Sequence, residues 1–167
     1  PGSELAGAGP VLVALDGGWA SAPDWEARRA RAGEALATAE RAGRPAILVN
    51  LAAPRGPDLP APRAAADWAG ALEAMAPRPW APDRAGFAET AAALAERLEG
   101  FETIWITDGL DHDAEGTAAL TSALLSAGAL TQVTPDAAAL ALRPPRLEDQ
   151  ALVAEAVRAE AAGPRPV

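Results

Sequence analysis

The sequence predicts an α/β domain: an open, mainly parallel sheet with helices on both faces and a strand order of about 2-1-3-4. Three observations predict it. Short apolar runs recur at "VLVAL", "AILV" and "TIWI", as expected of strands buried on both faces. Stretches with apolar residues at helical spacing separate these runs. Glycine or proline marks most of the junctions between them. Strands alternating with helices favour parallel pairing through right-handed crossovers.

The elements follow in order. "PVLVALD" (10–16) is the first strand. In "SAPDWEARRARAGEALATAERAGRP" (21–45), Ser21 and Asp24 have the spacing of a capping box, and Pro23 suits a first helical turn. Trp25, Ala32, Leu36 and Ala39 share one face of that helix, Gly43 is its expected C-cap, and Pro45 stops it. "PAILVNLA" (45–52) is the second strand, which completes a βαβ unit. "APRGPDLPAPR" (53–63) is a loop by its proline and glycine content. Trp68, Leu72 and Met75 line a helix in 64–76, and "PRPWAPDR" (77–84) breaks the chain again. Phe87, Ala91, Leu94 and Leu98 then form a stripe that ends at Gly100. "FETIWITDG" (101–109) is the third strand, 113–128 a helix through Leu120 and Leu124 capped by Gly128, and "ALTQVTP" (129–135) a weaker fourth strand. We divide the chain into a leader (1–9), the α/β domain (10–135) and the start of a following segment (136–167). Stretches 138–143 and 151–160 in that last segment read as a β hairpin or, alternatively, as a final helix. The start at Pro1 and the closing "AAGPRPV" suggest a piece of a longer protein.

Composition narrows the function. Of 83 hydrophobic residues 46 are Ala, so the core is thin and its helices pack closely on the sheet. Five tryptophans (19, 25, 68, 80 and 105) are expected to supply much of its bulk. The net charge of −9 disfavours nucleic acid and direct contact with anionic membranes, both of which need clustered positive charge. All 14 basic residues are Arg and lie scattered among acids. With no Cys, thiol catalysis, disulfides and thiolate metal sites are excluded.

In open parallel sheets ligands bind beyond the carboxyl ends of the strands, where strand order reverses. For the order 2-1-3-4 that point lies between the first and third strands. Asp16 and Asp108 end these two strands, so a pair of carboxylates some 90 residues apart is expected in one crevice with Gly17, Gly18, Trp19 and Gly109. Gly17 and Gly18 permit a sharp exit from the first strand. Trp19 either folds over the sheet end or stands out as an anchor for a protein partner.

A strand ending in an acid and small residues, a long helix, and a later strand ending "ITDG" together resemble a von Willebrand factor A-type domain, a Rossmann-like fold. The resemblance implies a divalent cation held by hard oxygen ligands. Asp16 and Asp108 fall on the two acids of that family's site, but Gly18 and Ala20 stand where its loop has serines, and no threonine matches its third hydroxyl; Thr90 lies within a helix. The implied metal site, Asp16 and Asp108 with Mg²⁺ or Ca²⁺, is therefore degenerate and weak. "LDGGWASAPDW" and "DGLDH" are similar to the degenerate A-type domain of bacterial membrane proteins with an aerotolerance-operon-like double transmembrane region at the N-terminus. That likeness implies a membrane-tethered module facing the periplasm, of unassigned biochemical activity; our first reading of it is a non-enzymatic interaction and assembly module with a protein partner and no cofactor. One alternative is a cation-dependent protein-binding domain. Another is a small hydrolase using the "DGLDHD" loop (108–113), where Asp108, Asp111, His112 and Asp113 are candidate ligands and His112 a candidate base. Asp113 also has the position of an N-cap.

Overall fold

A computed structural model describes residues 7, 9–54, 56, 60–134, 140–142, 144–148, 151–154 and 156–158. Its four-stranded sheet is wholly parallel, in the order β2-β1-β3-β4. The strands are β1 (Val11–Leu15), β2 (Ala46–Asn50), β3 (Glu102–Ile106) and β4 (Leu130–Val133). The helices are α1 (Trp25–Arg41), α2 (Ala69–Ala74), α3 (Arg84–Leu98) and α4 (Ala114–Ala127). The predicted fold class and strand order are those of the structure.

Strand side chains alternate between two apolar layers, as the two-residue period of a strand dictates. Val11, Val13 and Leu15 join Ile104 and Ile106 beneath α1, α2 and the turn that precedes α2. Leu12, Ala14, Ile47 and Trp105 face α3 and α4 through Phe87, Ala91, Leu94, Leu120 and Leu124. β1 is buried at every position because it has a strand on each side and helices above and below. β4 is an edge strand and stays half-exposed, which explains its weaker apolar signal.

Three of the five tryptophans belong to the core, and each indole N–H has an acceptor. Trp25 donates to Met75 O, Trp68 to Ala46 O and Trp105 to Asp16 Oδ1. Trp19 and Trp80 are 43% and 49% exposed, so three of the five tryptophans, and not all of them, supply the core's aromatic bulk. Trp68→Phe keeps the ring but loses its 2.7 Å bond. Ala46 O retains the Arg63 N–H, so no acceptor is orphaned. The expected loss is about 1 kcal/mol, read as a lower urea midpoint with an unchanged slope.

Two local expectations shift. The chain runs as a 3₁₀ turn over Trp19–Asp24 before α1 begins, so Ser21 is buried in that turn and does not cap the helix. Asp24 is the N-cap residue, yet its carboxylate takes the Arg28 Nε–H at 2.6 Å. At the end of α3 the left-handed residue is Glu99, with Gly100 following at φ 103°.

Beyond β4 lie β5 (Leu140–Leu142), β6 (Arg146–Glu148), β7 (Ala151–Val153) and β8 (Ala156–Arg158). β5 pairs antiparallel with β8, and β6 with β7. Much of the stretches 138–143 and 151–160, and residues 1–6, most of the leader, lie outside the described residues.

Candidate functional site

Asp16 and Asp108 meet at the carboxyl ends of β1 and β3, both buried, at the point where strand order reverses. Asp16 Oδ2 accepts the backbone N–H of Asp108 at 2.7 Å, which joins the two strand tips directly. Asp108 Oδ1 accepts the Leu110 N–H, an Asx-type turn that starts the loop to α4. Gly109 occupies that turn with φ 77°, and its N–H reaches Thr107 Oγ1.

Between the two carboxylates lies the guanidinium of Arg84, itself 3% exposed. Its Nη2 donates to Asp16 Oδ2 at 2.7 Å, to Asp108 Oδ1 at 3.0 Å and, at 3.5 Å, to Thr107 Oγ1. Nη1 donates to Leu110 O at 2.8 Å and Thr117 Oγ1 at 3.0 Å, and Nε to Asp16 Oδ1 at 3.4 Å. All five N–H groups of the fork are engaged. The guanidinium carbon also lies 5.2 Å from the centre of the Trp105 ring, a cation–π distance.

The loop of residues 77–83 delivers this arginine. It is pinned across the strand tips by Arg78 N to Gly17 O, Trp19 N to Trp80 O and Asp83 N to Leu51 O. Asp83 then caps α3 through the Gly86 N–H, and Arg84 is the first residue of the helix. A cation at a helix N-terminus opposes the helix dipole. The Asp16–Asp108 pair supplies the compensating charge.

Gly17 and Gly18 have distinct roles. Gly17 adopts φ 50°, and a Cβ there would lie 2.2 Å from Asn50 Oδ1. At Gly18 a Cβ would lie 2.6 Å from the Trp80 carbonyl oxygen. The place where the resembled family carries a serine is thus filled by the crossing loop.

In the "DGLDHD" loop the candidate ligands diverge. His112 Nε2 sits 2.6 Å from Asp108 Oδ2, and a carboxylate only accepts, so that nitrogen carries the hydrogen. Asp111 Oδ1 accepts from the Thr117 hydroxyl, and Asp113 caps α4 by accepting the Glu115 N–H. Among the described residues no group of three or more His, Cys, Asp or Glu is placed to hold a metal ion. Trp19 packs edge-on against His112, ring centres 5.9 Å apart, while much of its indole faces solvent. It therefore covers the notch and remains accessible.

The oxygens of the two acids are already committed. Asp16 receives four donors, from Arg84 Nε and Nη2, Trp105 Nε1 and Asp108 N. Asp108 receives Arg84, Leu110 N and His112. With a guanidinium between them, these residues do not fit a resident divalent ion. A separate cavity of about 470 Å³ lies along β2 and α3, bordered by Leu48, Asn50, Met75, Arg78 and Phe87; the strand-tip acids do not line it.

Sequence reasoning paired the acids but missed Arg84, Thr107 and Thr117. The detectable signal was an arginine at the first position of α3, where the dipole disfavours it. Comparison with known protein families, characterised proteins and solved structures finds no match to this chain.

Proposed function

We propose that the chain is a non-enzymatic interaction and assembly module: a von Willebrand A-type domain of a larger membrane-anchored bacterial envelope protein, with a degenerate metal site. One observation carries the interaction reading. Trp19 and Trp80 both lie at the strand-tip end, their backbones joined by a 3.1 Å bond, and each is more than two-fifths exposed. The indoles diverge, Trp19 towards His112 and Trp80 towards Ala52, whose carbonyl takes its N–H, and each leaves apolar surface in water, as protein-binding anchors do. The buried ion-pair network beneath holds this platform rigid, so little order is lost on binding. The A-type assignment is supported by the sheet order and the shared notch of Asp16 and Asp108. Membrane tethering and a periplasmic position rest on the sequence resemblance; among the described residues no helix is long and apolar enough to cross a membrane.

Site-specific photocrosslinking in the native cell tests the reading. A photoreactive residue at Trp19 or Trp80 is expected to give a discrete heavier adduct, while the same group at the exposed Glu40 on α1 gives none. Equal adducts at all three positions, or none at the tryptophans, would refute the platform. Turnover of generic ester or phosphate substrates that disappears in His112→Ala would favour a hydrolase instead.

A further inference from the structure

We infer that Arg84 is the resident cation of the strand-tip notch: its guanidinium takes the place of a divalent ion, and the oxygens around it become a divalent-cation site once the guanidinium is removed. The donor set is the evidence. Five oxygens approach Nη1 and Nη2 within 2.7–3.5 Å: Asp16 Oδ2, Asp108 Oδ1, Thr107 Oγ1, Thr117 Oγ1 and Leu110 O. Two carboxylates, two hydroxyls and a carbonyl make a hard-oxygen set of the kind that binds Mg²⁺, Ca²⁺ or Mn²⁺. The hydroxyls lacking at Gly18 and Ala20 are supplied instead by Thr107, at the end of β3, and Thr117, on α4.

The guanidinium also does the mechanical work of an ion. It ties the tips of β1 and β3 to the start of α3 and the first turns of α4. Close packing holds those two helix starts together: a Cβ on Gly116 would lie 3.0 Å from Ala85 Cβ and Ala85 N. Two buried carboxylates without a cation would be strongly destabilising. A tethered guanidinium cannot dissociate or be chelated, so the notch stays neutralised at any metal concentration. This inference is independent of the tryptophan platform.

The test compares wild type with Arg84→Ala and the bulkier Arg84→Gln, using Mn²⁺ binding by electron paramagnetic resonance and melting temperature with and without millimolar Mg²⁺ or Ca²⁺. Wild type is expected to bind no Mn²⁺ and to melt at the same temperature with metal or chelator. Both variants should melt lower, bind one Mn²⁺ per chain, and regain melting temperature with Mg²⁺ or Ca²⁺. Adding Asp108→Asn to either variant should abolish the binding. If Arg84→Ala is unfolded without metal, it should gain far-ultraviolet helical signal when Mn²⁺ is added. Wild-type binding of Mn²⁺ that is lost in Asp16→Asn would overturn the inference. So would a folded Arg84→Gln that binds none, or an unfolded Arg84→Ala that metal leaves unfolded.

Discussion

Asp16→Ala is expected to lower the stability of the domain by about 3–5 kcal/mol, the cost of removing one partner from a buried ion pair. The carboxylate accepts from Arg84, from the Trp105 indole and from the Asp108 backbone. Its loss leaves a buried guanidinium short of its nearest anion and two further donors without an acceptor. Burial makes the effect large, because water does not reach the abandoned groups. A domain of ordinary stability holds about 5–15 kcal/mol, so the variant should be close to unfolding at ambient temperature. Urea denaturation followed by tryptophan fluorescence measures this directly, and Trp105 itself reports on the site. Asp16→Asn should be milder, since its amide oxygen still accepts one or two of these bonds. A loss below about 1 kcal/mol for Asp16→Ala, the range of exposed pairs, would mean that the network does not hold the strand tips together.

Gly18→Ser is expected to destabilise the protein by about 1–3 kcal/mol and to confer no metal binding. By sequence alone it looks like a repair, because it restores a hydroxyl where the resembled family has one. In the structure a Cβ at this position meets the Trp80 carbonyl at 2.6 Å and Pro82 Cδ at 3.0 Å. Those atoms belong to the loop that carries Arg84 into the notch, and backbone cannot rotate aside as a flexible side chain can. The serine must therefore push the loop outward, which loosens the Trp19–Trp80 contact and the guanidinium together. Chemical denaturation and Mn²⁺ titration of this variant give both readouts. A stable Gly18→Ser protein that binds Mn²⁺ would show that the missing serine, and not the resident arginine, is what keeps metal out.

The reach of the sequence differed between elements for identifiable reasons. "VLVAL" and "TIWI" announced buried strands because a strand covered on both faces must be apolar at successive positions. The stripe through Phe87, Ala91 and Leu94 announced α3 because one face of a helix repeats every three to four residues. Alternation and handedness implied parallel strands and right-handed crossovers; the order 2-1-3-4 was a further assumption, under which Asp16 falls beside Asp108. Ser21 misled, since its spacing to Asp24 mimics a capping box while the local chain closes into a 3₁₀ turn. Trp80 counts towards the expected core and lies half-exposed, because composition gives the size of a side chain and not the side of the surface on which it lies.

What the sequence determined by itself was the layered parallel sheet and an aspartate at the end of each of two strands; these depend on periodicity and chain handedness, which are local properties. Only the tertiary structure decided that the aspartates meet, through the order β2-β1-β3-β4, and what lies between them. Arg84 is 68 residues from Asp16 and 24 from Asp108, and reaches both because a proline-rich loop is pinned across the strand tips. No local pattern specifies which cation will settle against a buried pair of carboxylates, since that depends on which side chain the folded backbone brings within 3 Å of both.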